Sequence, residues 1–209
     1  MNLMFLLFSL TFPAALEVES LEWKLINERA GIHIFEAEVQ NRSVVAVAGR
    51  AVIEAPLKSV VDVLMDIDQR KSWAPNLADA RILERKTEHE WIEYNHIATP
   101  FFVSDRDFVV AARVQSNPRR SGTWSIHYES TAHTKEPKTS FVRGVVYRAT
   151  FQLKKLGFDR TEIWAEAFVD PKGAIPKWIV NIFQRKWPHR AISALQKQVS
   201  RRKDQKDFK

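Results

Sequence analysis

The 209-residue chain predicts an α+β domain in which a curved antiparallel sheet is covered by one long C-terminal helix. Three observations carry that expectation. Between residues 79 and 170, six runs rich in β-branched and aromatic residues follow one another with short polar links, as in an antiparallel meander. Behind Pro176, apolar residues recur at helical spacing as far as Val199. Hydrophobic residues make up 45% of the chain, with 7 Trp, 13 Phe and 3 Tyr. That is enough for the core of one domain and for aromatic cavity walls as well.

Taken in order, residues 18–30 read as a helix, with Glu19 and Glu22 early, where the helix dipole favours anions, and Gly31 as its stop. Two strands follow, Ile32–Val39 and Val44–Ile53, joined by a turn at Asn41-Arg42-Ser43. Pro56 opens a helix at a position that needs no N–H, and Leu57, Val60, Val61, Leu64 and Met65 form its apolar face. Asp66–Trp73 reads as a short turn-and-helix step ended by Ala74-Pro75-Asn76. The six strands are then Asp79–Lys86, Glu90–Ala98, Asp107–Gln115, Gly122–Thr131, Phe141–Lys155 and Arg160–Asp170. A turn at Asp170-Pro171-Lys172-Gly173 leads into a helix over Ile175–Val199, and Pro188 predicts a kink or break near Trp187.

Composition narrows the function classes. Cysteine is absent, so disulfide and thiolate chemistry are excluded. Six scattered His show no metal-ligand spacing, and there is no nucleophile elbow, phosphate loop or dinucleotide fingerprint, so neither a metal nor a cofactor is expected. Net charge is +7, and residues 176–209 hold ten Lys/Arg against two Asp, leaving the rest close to neutral. Such asymmetry points to an anionic surface met by one end. Nucleic acid is not the expected partner, because no recognition module or stacking platform is evident. Leu3–Phe12 has the length of a secretory h-region and is too short to span a bilayer, and Pro13-Ala14-Ala15 follow it. The expected organisation is therefore a leader over 1–16, a domain over 18–200 and a basic tail over 201–209, giving an exported monomer.

Four motifs in the right order sharpen this picture: Trp23 followed by Gly31-Ile32-His33-Ile34-Phe35; Asp66 with Trp73 and Pro75; Arg106-Asp107-Phe108-Val109; and Asp170-Pro171-Lys172-Gly173 through Ile175-Pro176-Lys177-Trp178 to Asn181. Over Trp23–Val199 the chain resembles the START lipid-transfer family. The resemblance implies a helix-grip fold, a U-shaped sheet around the last helix, enclosing a tunnel for one sterol, phospholipid, ceramide or other apolar molecule, without catalysis. It also implies that the loop Thr99–Ser104 belongs to a gate with the last helix. Sterol-carrying relatives bury an acid and an arginine on adjacent strands. Here the acid position falls on Glu93 and the arginine position on Ala112, with Arg113 next door on the opposite strand face.

The implied lining draws on several elements. Strand alternation places Trp91, Glu93 and Asn95 on one face. Phe108, Val110 and Ala112 would line the next strand, and Trp124, Ile126 and Tyr128 the one after. The last helix would add Trp178, Ile179, Ile182 and Phe183. Phe101 and Phe102 either close the tunnel or insert into a bilayer interface, where the basic flank of the helix would meet anionic lipid. Arg106-Asp107 reads as a pair that pins a loop. The alternative on the same scaffold is a cyclase- or aromatase-like enzyme, with Glu93, Tyr94, His96 and Tyr128 as acid–base candidates. A third reading is a protein-interaction module using the basic C-terminal end.

Overall fold

A computed structural model describes residues 21–99, 103–117 and 122–207. The expected leader and the loop residues Phe101 and Phe102 lie outside the described residues. The elements run β1 (Lys24–Arg29), β2 (Ile32–Ala37), β3 (Ala46–Ile53), α1 (Leu57–Met65), α2 (Ile67–Arg70), β4 (Leu77–Arg85), β5 (Glu90–Ile97), β6 (Arg106–Asn117), β7 (Thr123–Ser130), β8 (Val142–Arg143), β9 (Val145–Lys155), β10 (Thr161–Asp170) and α3 (Lys177–Asp207). The strands form one sheet in the order β1-β2-β3-β10-β9-β7-β6-β5-β4, antiparallel throughout, with β8 pairing in parallel with the start of β6. The sheet follows chain order except where β10 returns to pair with β3. No described helix is long and apolar enough to cross a membrane.

Three local expectations are corrected. The first helix expected over residues 18–30 is instead, where described, the strand β1, joined to β2 by a two-residue turn in which Ala30 and Gly31 both take positive φ (52° and 73°). Gly31 therefore ends a strand, in the two-residue hairpin geometry that requires left-handed backbone. All six β1 residues are exposed, so no buried face recorded their period in the sequence. The single strand expected over Phe141–Lys155 is divided at Gly144, a position where the Phe108 ring fills the space a β-carbon would need. The last helix runs without interruption through Pro188 and on to Asp207. Arg201 and Arg202 thus belong to the helix, and Arg202 donates to the Asp62 carbonyl at 3.2 Å and to the Asp66 carboxylate.

The inward side chains of the sheet divide the space under α3 into two halves. In the packed half, Ile32, Ile53, Trp91, Trp124, Ile126, Leu153 and Ile163 meet Val60 and Val63 of α1 and Ile192 and Leu195 of α3. Each such side chain stabilises the fold by about 1.5–3 kcal/mol through removal from water. α3 comes close to the sheet at Gly49, where a β-carbon would fall 2.7 Å from Ile192 Cδ1 and 2.8 Å from Pro188 Cβ. Only a residue without a side chain allows that approach. Toward the start of α3 the same two layers separate and leave a cavity.

Candidate functional site

The cavity has a volume of about 650 Å³, within the range of small-molecule sites. Its walls are mostly apolar. Phe108 and Val110 of β6, Ala149 and Phe151 of β9, and Ala167 and Val169 of β10 form the sheet side. Ile179, Val180, Phe183 and Trp187 of α3 form the opposite side. Pro176 precedes α3 at a position that needs no N–H, and the Ile179 and Val180 N–H groups both bond to its carbonyl.

A buried polar cluster interrupts these walls, positioned by β5, while Asn76, Thr99, Arg106, Gln184 and Arg190 add polar groups elsewhere on the lining. Alternation along β5 sends Trp91, Glu93 and Asn95 inward together. Glu93 is 1% exposed and accepts from Arg70 Nη1 at 2.7 Å, Trp91 Nε1 at 2.7 Å and Asn95 Nδ2 at 2.9 Å. All three partners are donors, which is what a buried carboxylate requires. Arg70 comes from α2, whose N-cap Asp66 accepts from the Gln69 N–H at 3.2 Å and so sets the single turn that carries Arg70 over the sheet. The guanidinium also donates to the Leu64 carbonyl at 3.3 Å and lies 5.9 Å from the centre of the Tyr128 ring. Burial works against its charge, yet Tyr128 and Glu93 outweigh burial and raise its pKa further above the usual arginine value. Burial likewise pushes the Tyr128 hydroxyl up, so the phenol stays neutral and can donate. The cluster is a charge-balanced pair at the cavity wall with Asn95 and Tyr128 beside it.

On the neighbouring strand the residue opposite Glu93 is Val110, and the arginine position named above is occupied by Ala112. Ala112 pairs with Trp91, in the packed half, and Arg113 points outward to Glu90 at 3.9 Å. The partner of Glu93 comes not from an adjacent strand but from a helix 23 residues upstream. The signal available was the position of Arg70 one turn after the Asp66 cap.

Of the expected lining, Glu93, Asn95, Phe108, Val110, Tyr128, Ile179 and Phe183 do face the cavity. Trp91, Ala112, Trp124 and Ile126 do not; they are buried in the packed half. Trp178 and Ile182 also do not, being 66% and 40% exposed on the outer side of α3. Phe101 lies outside the described residues.

Three acids fasten the loops around the mouth. Asp105 accepts from the Thr99 N–H at 2.8 Å and contacts His96 Nε2 at 2.7 Å, and these bonds lower its pKa. Asp107 is fully buried and is held by Arg143 Nε at 2.8 Å and Thr139 Oγ1 at 2.7 Å; burial alone would raise its pKa, but these bonds win and lower it. Asp170 receives the Lys172 N–H at 2.9 Å and Lys177 Nζ at 3.0 Å, which again overcome burial and lower its pKa. Arg106 donates to the Ser104 carbonyl and, more weakly, to the carbonyls of Pro171 at 3.4 Å and Lys172 at 3.3 Å. Arg106 and Asp107 therefore pin two different loops rather than each other. Among the described residues, no group of three or more His, Asp or Glu is placed to hold a metal ion.

Comparison with known proteins gives the same architecture. A START-domain family model matches residues 16–200. Human START domain-containing protein 10 is 28% identical over 162 residues, 76% of this chain and 55% of the relative, so the chain spans about half the length of that curated protein. Phosphatidylcholine transfer protein of Bos taurus is 26% identical over 162 residues, covering 76% and 75% of the two chains. The crystal structure of human STARD10 superposes with a TM-score of 0.81 at 25% identity, over 89% of this chain and 76% of that one. The STAR-related lipid transfer protein (fragment 25-204) of Xanthomonas axonopodis gives 0.75 at 23% identity, over 85% and 98%. With its sheet, its long C-terminal helix and the match over residues 16–200, the chain belongs to the START-domain family, whose members include lipid-transfer proteins.

Proposed function

We propose that the chain binds one lipid or similar apolar molecule in the cavity and carries it between membrane surfaces without covalent chemistry. The observation that carries this reading is the cavity itself: about 650 Å³ walled mainly by apolar side chains, with the charge-balanced Arg70–Glu93 pair among the polar groups of its lining. Apolar walls favour an apolar guest by about 25 cal/mol per Å² removed from water. Arg70, Asn95 and Tyr128 carry donors at the polar cluster, so the polar end of the guest is an acceptor-bearing group placed there.

The enzyme reading finds less support. Tyr94 and His96 lie on the outer side of β5, where Tyr94 packs with Ile92 and Val109 and His96 contacts Asp105. Glu93 and Tyr128 remain at the cavity, but Glu93 is occupied by three donors and Tyr128 is held neutral, so neither is poised to take a proton.

Loading and release fit the surface of α3. Trp178 and Phe183 are 66% and 50% exposed, and of the cations on the same helical segment Lys186 is exposed while Lys177 is held by Asp170 and Arg185 by Glu36. Aromatic side chains flanked by cations suit the interface of an anionic bilayer. Export, suggested by Leu3–Phe12, would place the protein among the membranes of an extracytoplasmic compartment, and N-terminal sequencing of the mature chain tests it.

The test of the main reading is delipidated protein incubated with mixed liposomes, re-isolated, and analysed by mass spectrometry. One lipid per protein is the expected result. Recovery of no lipid from any mixture overturns the reading.

A further inference from the structure

The β9–β10 link, at the end of β10 opposite Asp170, carries a feature that neither the cavity nor the core uses. β9 and β10 join there through Leu156-Gly157-Phe158-Asp159, closed by the Leu156 N–H bonding to the Arg160 carbonyl at 3.0 Å. Phe158 is 91% exposed, the largest exposure among the large hydrophobic residues described. Leu156 beside it is 45% exposed. Lys155 places its ammonium 5.2 Å from the centre of the Phe158 ring, and Lys154 and Arg160 are exposed on either side. The two acids nearby are Asp159 and Glu54, and Glu54 lies 3.4 Å from Arg160, so the tip keeps a positive balance.

The position of this tip matters as much as its chemistry. β10 runs from Thr161 at the tip to Asp170 at the mouth. Nine steps of about 3.3 Å along a strand separate the two ends by about 30 Å. Two apolar side chains at the tip of a hairpin, flanked by Lys154, Lys155 and Arg160 against Asp159 and Glu54, complement a surface with negative headgroups over an apolar interior.

We propose that the β9–β10 tip is a second contact for an anionic phospholipid bilayer, with Phe158 and Leu156 entering the interface and Lys154, Lys155 and Arg160 meeting the headgroups. Combined with the mouth-side contact proposed above, on which this part rests, a single molecule touches two bilayers at once. The protein then acts as a bridge that holds donor and acceptor membranes close while its cavity exchanges cargo.

The absence of cysteine makes the test clean, because Gly157→Cys, where an added β-carbon meets nothing within 4 Å, offers a single site for an environment-sensitive fluorophore and keeps Phe158. With phosphatidylcholine vesicles containing phosphatidylglycerol, the label shifts to the blue; with phosphatidylcholine alone it stays in water. Unlabelled wild-type protein clusters the anionic vesicles, read by light scattering. Phe158→Asp, which alters an exposed tip, lowers clustering about tenfold or more, in line with the loss of one buried aromatic side chain, and leaves lipid uptake into the cavity unchanged. A label that remains water-exposed with both vesicle types overturns the bilayer assignment and leaves a protein surface as the occupant. A label that shifts equally with both overturns the role of the cations. Clustering unchanged by Phe158→Asp overturns the bridge. Uptake is read separately by mass spectrometry, so failure at the tip and failure at the cavity are distinguishable.

Discussion

The inward faces of β5, β6 and β7 are built alike along their whole length, yet their two halves do opposite things. At one end Trp91, Ala112, Trp124 and Ile126 are sealed against α1, Ile192 and Leu195. At the other, Asn95, Phe108, Val110 and Tyr128 face empty space under the first turns of α3. Strand period alone does not distinguish these halves, because it reports which way a side chain points and not whether anything meets it. The difference comes from what lies opposite: α1 and the second half of α3 close one side, while the first half of α3 stands away from the other. The boundary is marked by Glu93, which accepts from Trp91 on the packed side and Asn95 on the open side.

The largest expected effect breaks that boundary. Arg70→Met leaves the Glu93 carboxylate buried without its cation and costs about 3–5 kcal/mol in urea unfolding. The double variant Arg70→Met with Glu93→Leu recovers most of that loss, since an apolar pair leaves no buried charge. Recovery of nothing would show that the pair is not coupled. Next, one substitution made in both halves sharpens the contrast. Ile126→Ala, in the packed half, costs about 2–5 kcal/mol through lost burial and the hole it leaves. Ile179→Ala, on the cavity wall, costs under about 1 kcal/mol because one side of that side chain already lacks neighbours. Equal losses would erase the distinction between the halves.

A third change fills the open half. Ala149→Phe keeps stability within about 1.5 kcal/mol of the parent, as added volume enters existing space, and removes lipid recovery after liposome incubation. Undiminished recovery would move the guest elsewhere. The smallest effect concerns pH. Asp105, Asp107 and Asp170 have pKa values below the ordinary carboxylate value in the fold. Their contribution is therefore complete above the unfolded value of about 3.9 and is lost as pH falls through the lower folded values. Hydrogen exchange below that range should show the mouth loops loosening before the packed half; simultaneous loosening would mean the acids do not act locally.

Much of this architecture was legible because burial leaves a period. The alternation of Trp124, Ile126 and Tyr128 and the stripe from Ile179 to Val199 correspond to β7 and α3, and the resemblance to START domains is borne out by the matching family model. β1 was not legible, because a wholly exposed strand carries no such pattern and Ala30-Gly31 reads as well for a helix stop as for a hairpin. The site was half legible. Glu93 and Asn95 followed from alternation, but Arg70 meets Glu93 across 23 residues from a one-turn helix, and no local period connects them. Trp178 and Ile182 were placed on the cavity by helical spacing, yet they sit on the outer side of α3, which an apolar stripe wider than the buried face does not reveal.

The close approach at Gly49 has a mechanical consequence. Beyond it, Ile192, Leu195 and Val199 fix the second half of α3 in the core; before it, Trp178 to Phe183 lie partly in the open. Pro188 sits at the contact itself and lacks the N–H that would have tied it to the Gln184 carbonyl one turn earlier. α3 is thus anchored unequally on the two sides of Pro188: past it by core side chains, and before it by Val180 together with polar ties from Asn181 to Val45, Gln184 to Val169 and Arg185 to Glu36.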